Sequence, residues 1–166
     1  MTPSKTYGVL LFDDFATLDA LGPVGFLNHV PDIQIYLVHD SHLPIPSGTG
    51  WPSNDKFSGQ LYMPSCTMES APKLDVLIIP GGAGIRRLRE DRRWDEFVAR
   101  VYPDLQYLFV VCTGATIAAR SGVLDGLRAT TNKSLFRWVE TMGPKVDWIP
   151  EARWVVDGNV WTSSGR

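Results

Sequence analysis

Leu108-Phe-Val-Val-Cys-Thr-Gly-Ala-Thr-Ile-Ala-Ala-Arg120 is the stretch that decides the fold. It begins with β-branched and aromatic residues, which predict a buried parallel strand, and after Cys112 it changes to small residues with helical spacing. Cys112 is therefore predicted to lie at a strand-to-helix corner. The free amides of the next helical turn favour an anion, so we expect this thiol to ionise more readily than a free one. An inert buried cysteine is the alternative.

Composition limits the class of protein. The chain has 166 residues, which predicts one domain over residues 1–166. Its 16 basic and 18 acidic residues give a net charge of −2, so neither nucleic acid nor an anionic membrane is expected as a partner. No apolar run is long enough to cross a bilayer, and no signal-peptide core precedes the first strand. The two cysteines cannot form a disulfide framework, and we expect a soluble, cytoplasmic protein.

Further strands are predicted on both sides of this corner. Apolar runs predict strands over 7–12, 33–38 and 74–79, and a short strand over 129–131. Asp157-Gly158 predicts a hairpin between segments 152–156 and 159–162. Helices are predicted from Gly22-Pro23, from about Ile85 and over 135–142, with a short hairpin around residues 48–50. Strands that alternate with helices in this way predict a doubly wound α/β sheet.

Three loops follow different strands at the carboxyl edge of that sheet, where ligands bind in such folds. They carry Asp19, the glycines between Gly81 and Gly84, and the segment from Cys112 to Gly114. The corner resembles the nucleophile elbow of hydrolases, with only one flanking glycine. The glycine turn matches a phosphate-binding loop poorly, and backbone amides of an oxyanion hole suit it better. Asp19 has an alternative role as a helix cap.

Other polar residues predict no site. Arg86, Arg87 and Arg89 with Glu90 and neighbouring charges indicate a solvated helix face. Three histidines have no metal-ligand spacing, and we interpret them as surface or helix-end residues: His29, His39 and His42.

Five motifs resemble the DJ-1/PfpI (ThiJ/PfpI) superfamily, and within it the isonitrile hydratases. They are Leu18-Asp-Ala-Leu-Gly-Pro23, Leu74-Asp-Val-Leu-Ile-Ile-Pro-Gly-Gly-Ala-Gly84, Val111-Cys-Thr-Gly114, Arg128-Ala-Thr-Thr131 and Asp157-Gly-Asn159. The resemblance implies a flavodoxin-like, three-layer α/β sandwich of the class I glutamine amidotransferase-like type, with a mostly parallel central sheet. It further implies a homodimer that acts on a small molecule and has no metal or organic cofactor.

The resemblance also implies roles for single residues. Cys112 matches the nucleophile, Asp19 its acidic partner, and Thr113 a neighbour that contributes its amide and hydroxyl. Gly82 matches the residue whose amide faces the sulfur, and Gly81 and Gly114 accompany it in the oxyanion and substrate-binding turn.

The chain departs from the family pattern at two places. Asn132-Lys133 stand where related hydratases often have His-Trp, so no histidine-assisted thiolate is expected there. The family continues past Thr162-Ser-Ser-Gly165 into a loop and a long helix that this chain lacks. We therefore expect lower stability than in a full-length relative, or self-association.

The activity implied is hydration of an isonitrile to the N-substituted formamide. Cys112 would attack the terminal carbon, while Asp19, expected to hold a proton, would donate it toward sulfur and then activate water. Three alternatives stay open at this stage. One is a glyoxalase-like or amidase-like enzyme, one is a redox sensor in which Cys112 is oxidised to a sulfinic acid beside Asp19, and one is a folded relic without function.

Overall fold

A computed structural model describes residues 5–48 and 59–165. The strands in this part of the chain are β1 Lys5–Leu10, β2 Phe15–Ala16, β3 Ile33–His39, β4 Ile45–Gly48, β5 Leu61–Tyr62, β6 Cys66–Thr67, β7 Val76–Ile79, β8 Tyr107–Val111, β9 Arg128–Ala129, β10 Asp147–Trp148, β11 Trp154–Asp157 and β12 Val160–Ser163. The helices are α1 Thr17–Leu27, α2 Arg93–Val101, α3 Ala115–Arg120 and α4 Phe136–Glu140, with 3₁₀ segments at Ala83–Glu90, Tyr102–Asp104 and Cys112–Gly114.

The central sheet has the strand order β11-β12-β8-β7-β1-β3-β6. Its strands run parallel except for β11, which pairs antiparallel with β12 through the hairpin predicted at Asp157-Gly158. Every residue of β7 is buried, as the uninterrupted apolar run predicted. The sheet confirms the predicted α/β class, and it places the ends of β1, β7 and β8 side by side.

Helix α2 covers part of this sheet with one apolar face. Trp94, Phe97 and Val98 are buried at the spacing of adjacent helical turns. Burial of each such side chain is worth about 1.5–3 kcal/mol. Between α2 and α3, Asp95 lies 2.8 Å from the guanidinium of Arg120, and both side chains are buried. This ion pair links the packing helix to the helix that follows Cys112.

The start of α1 differs from the prediction. The helix begins at Thr17, and Pro23 lies inside it. Proline removes one main-chain hydrogen bond, here to the carbonyl of Asp19, and the rest of the helix continues around that gap. Asp19 therefore belongs to the first helical turn instead of a preceding loop. The charged segment near Ile85 also differs, because a 3₁₀ segment ends at Glu90 and α2 begins separately at Arg93.

The predicted hairpin at residues 48–50 falls mostly outside the described residues. On either side of it, β4 and β5 pair antiparallel, with Ile45 opposite Tyr62. The exposed charges of Ala83–Glu90 agree with a solvated face, and Arg87 pairs with Asp14.

His39 corrects another expectation. His29 and His42 are exposed as predicted, but His39 is buried at the end of β3. Its ring lies 5.5 Å from that of Trp94, which covers it, and its Nδ1 is 3.0 Å from Asp40. Among the described residues, no cluster of three or more histidine, cysteine or acidic side chains is arranged to hold a metal ion. None of the helices in this part of the chain is long and apolar enough to span a membrane.

Candidate active site

Cys112 lies at a sharp turn between β8 and the helical segment that leads into α3. Its φ of 59° is in the left-handed region, which is rare for a residue with a side chain. Such a conformation costs about 1–3 kcal/mol and persists only where its surroundings fix it. Here the hydroxyl of Thr131 donates a 2.8 Å hydrogen bond to the carbonyl of Cys112. The predicted strand-to-helix corner is thus present, with a strained cysteine at its tip.

Asp19 reaches this cysteine from α1. The residue is 5% exposed, and its Oδ2 accepts a 3.2 Å hydrogen bond from the amide of Gly81. Its side chain also hydrogen-bonds with the thiol of Cys112. The N-cap of α1 is Ala16, and no side chain caps that helix end, so the helix-cap alternative for Asp19 is wrong. Its carboxyl group faces the sulfur.

The glycine turn after β7 packs directly against the elbow. A Cβ atom on Gly81 would lie 2.8 Å from both the Cβ of Cys112 and the amide nitrogen of Thr113, so only glycine permits this approach. The amide of Gly82 donates to Oγ1 of Thr113 at 3.1 Å, instead of facing the sulfur as the resemblance implied. The hydroxyl oxygen of Thr113, and not the sulfur of Cys112, therefore accepts the hydrogen bond of this amide.

Gly114 packs against the main chain at the end of β7. A Cβ atom there would lie 2.6 Å from the carbonyl oxygens of Ile79 and Pro80. The elbow can therefore sit on the end of β7 only if this residue has no side chain. Its described contacts place it beneath the turn, against main-chain carbonyl groups.

The thiol is a weaker acid than the sequence predicted. Burial, first, and the charge of Asp19, second, raise the pKa of Cys112 from 9.0 to about 11. The main-chain amide of Thr113 and the side chain of Asn132 donate hydrogen bonds that act in the opposite direction. The expectation of easy ionisation was wrong, because burial and a neighbouring carboxylate outweigh the amides of the helical turn.

Sequence reasoning missed two neighbours of the sulfur. Asn132 follows β9, and it was noted only because it stands where a histidine was expected. Gly165 lies beyond β12 with a φ of 66°, and a Cβ atom on it would be 3.1 Å from Sγ of Cys112. Nothing in the sequence indicated Gly165, because it reaches the site only through the pairing of β12 with β8.

Known proteins are similar to this chain over most of its length. Isonitrile hydratase of Pseudomonas putida is 37% identical over 95% of this chain, which spans 64% of that enzyme. The HTH-type transcriptional regulator GbdR of Pseudomonas aeruginosa is 27% identical over 97% of this chain, which spans 42% of the regulator. The chain thus spans less than two thirds of the length of either relative.

Solved structures agree with the fold. A ThiJ/PfpI family protein from Pseudomonas syringae superposes with a TM-score of 0.82 and 28% identity, over 97% of this chain and 62% of that one. A DJ-1 superfamily protein from Agrobacterium tumefaciens gives a TM-score of 0.78 at 20% identity, over 97% of this chain and 82% of that one. The model of the DJ-1/PfpI family matches residues 5–166, and the chain belongs to that family.

Proposed function

We propose that this chain hydrates an isonitrile to the corresponding N-substituted formamide, with Cys112 as nucleophile. One observation carries the proposal: the carboxyl group of Asp19, held by the amide of Gly81, meets the thiol of Cys112 at the carboxyl edge of the sheet. A nucleophile and a proton carrier in contact are what addition to an isonitrile carbon requires. The 37% identity with an isonitrile hydratase supports this choice of substrate.

The first step uses one proton shared by the two residues. With a pKa of about 11, the thiol of Cys112 holds its proton at neutral pH, and in the proposed step Asp19 enters as the carboxylate. As sulfur bonds to the terminal carbon of the isonitrile, Asp19 accepts the thiol proton and passes it to the same carbon. The product of this step is a thioimidate, R–N=CH–S, attached to Cys112. General acid–base help of this kind is worth about 10²–10⁴ in rate.

The second step consumes water. Asp19 accepts a proton from the water molecule as the water oxygen bonds to the thioimidate carbon, and it passes this proton to the nitrogen. The C–S bond then breaks, the hydroxyl oxygen of the adduct becomes the formamide carbonyl, and the hydroxyl proton passes through Asp19 to the sulfur. One isonitrile and one water give one formamide, and the enzyme regains its starting state.

The two cysteines provide the test. Cys66 is buried in β6, and the strands β7, β1 and β3 lie between β6 and β8, the strand that Cys112 follows. We expect Cys112→Ala to abolish formamide formation and Cys66→Ala to keep most of it, measured by NMR or mass spectrometry after incubation with a small isonitrile. Equal losses from both substitutions, or wild-type turnover by Cys112→Ala, would contradict the proposal.

A redox sensor predicts a different result. Oxidation of a cysteine follows its thiolate character, and a pKa of about 11 leaves little thiolate at neutral pH. We therefore expect turnover with the isonitrile and slow reaction with hydrogen peroxide. Stoichiometric oxidation of Cys112 without any turnover would favour the sensor.

A further inference from the structure

Asn132 has a fixed orientation beside the elbow. Its Oδ1 accepts a 3.1 Å hydrogen bond from the amide of Leu135, at the turn that leads into α4. A side-chain amide has one acceptor oxygen and one donor NH₂ group. Because the oxygen is held by Leu135, the hydrogen bond between this side chain and Cys112 runs from Nδ2 to the sulfur.

The loop that carries Asn132 is tied to the elbow on its other side. The hydroxyl of Thr131 donates to the carbonyl of Cys112 at 2.8 Å, and the amide of Thr130 donates to Oγ1 of Thr162 at 2.8 Å. Both threonines are completely buried. The donor of Asn132 is therefore fixed with respect to the sulfur by contacts on either side of it, and it needs no rearrangement during a reaction.

We propose that Nδ2 of Asn132 is the donor that stabilises negative charge on Sγ of Cys112 while the C–S bond forms and breaks. This inference rests on the proposed function. Asp19 and Asn132 then act on one atom with opposite sign, since the carboxylate disfavours charge on sulfur and the amide favours it. The amide is neutral at every working pH, so it loses no proton. Protons move only among sulfur, Asp19, water and the substrate.

Substitution of Asn132 by aspartate separates two roles of this side chain, which donates to the sulfur of Cys112 and accepts from the amide of Leu135. Asn132→Asp keeps an oxygen that can accept from the amide of Leu135, but it replaces the donor by a second carboxylate. In a Cys66→Ala background, the rate at which iodoacetamide alkylates Cys112 measures its thiolate fraction. We expect this rate at pH 8 to fall at least about tenfold, which corresponds to one pKa unit. Asn132→Ala should reduce it less.

Asn28→Asp is the matched control, because it makes the same change of charge at an exposed residue after α1. Its alkylation rate should equal that of the parent. Thermal melting of each variant identifies any that does not fold, and Asn132→Ala then replaces an unfolded aspartate variant in the comparison.

The alkylation assay tests the role of Asn132, and the hydration assay tests the proposed function, so the two can be contradicted separately. If the parent hydrates isonitriles but Asn132→Asp and Asn132→Ala leave the alkylation rate unchanged, the role of Asn132 is overturned and the proposed function stands. If the parent hydrates no isonitrile while both variants slow alkylation, the amide still stabilises charge on sulfur, and the proposed reaction is overturned together with the part of the inference that concerns it.

Discussion

Asp19 affects the sulfur of Cys112 in two opposite ways. Its charge raises the pKa of the thiol, which reduces the amount of nucleophilic thiolate. Its carboxylate also accepts the proton that the thiol must lose. The proposed reaction benefits from the second effect at the cost of the first.

Asp19→Asn separates these effects. The amide oxygen can still accept from Gly81, and the lost charge should lower the pKa of Cys112 below about 11. Alkylation of Cys112 by iodoacetamide should therefore become faster at pH 8. Hydration should become about 10²–10⁴ slower, because no proton carrier remains. A variant with unchanged alkylation and full hydration would show that Asp19 has neither effect.

For single residues, the sequence predicted which side chains come together, but it did not predict the direction in which they change the pKa of Cys112. Asp19, Thr113 and Cys112 follow strands whose carboxyl ends share one edge, so their approach could be predicted from the topology. The direction of the pKa change depends on burial in three dimensions, which no motif contains. Asn132 lies in a loop without periodicity, so no pattern predicted its contact with sulfur.

Among the elements, the turn after β7 depends on the close main-chain approach that Gly81 permits. Gly81→Ala would place a Cβ atom 2.8 Å from Cys112 and Thr113, and overpacking of this kind costs about 1–3 kcal/mol. Gly25→Ala is the control, since no atom outside its own part of α1 lies within 4 Å of its Cβ position, and it should gain about 0.5–1 kcal/mol of stability. Thermal melting measures both, and equal melting temperatures would contradict the tight packing.

The stability contributed by Asp95, which lies between α2 and α3, should depend on pH. Burial raises the pKa of Asp95 from 3.8 to about 6, although Arg120 and Arg92 lower it. The folded state therefore binds this proton more tightly than the unfolded state. The resulting stability is complete below about pH 4 and is lost as the pH rises through 6, up to about 3 kcal/mol.

Urea unfolding at several values between pH 4 and 7 tests this. The free energy of unfolding of the wild type should fall relative to that of Asp95→Asn as the pH rises. Glu96→Gln alters the exposed neighbouring carboxylate and should follow the wild type. Parallel curves for wild type and Asp95→Asn would show that Asp95 titrates alike in both states.

The whole molecule is organised by its parallel sheet, and its stability should decrease from the centre to the edges. In β1, β7 and β8 each strand has a partner on both sides, whereas β6 pairs only with β3. Amide hydrogen exchange should therefore be slowest in the central strands and much faster at Thr67. Exchange at Thr67 as slow as at Ile78 would contradict this order.

The sequence predicted this architecture better than its details. Apolar runs identified β1, β7 and β8, and alternation that passes into an apolar run identified β3, because buried strands contain few polar residues. The order of the strands was not predicted. In particular, the hairpin of β11 and β12 joins the central sheet beside β8, and only that pairing brings Gly165 to the sulfur.

The position of Gly165 decides where the protein can be labelled. A bulky group attached at this residue would lie beside the nucleophile and obstruct substrates. Lys5 starts β1 at the opposite edge of the sheet, six residues or about 20 Å from the carboxyl end of that strand. Labels for activity assays therefore belong near Lys5, while a dye at residue 165 would serve as an optical reporter of chemistry at the cysteine.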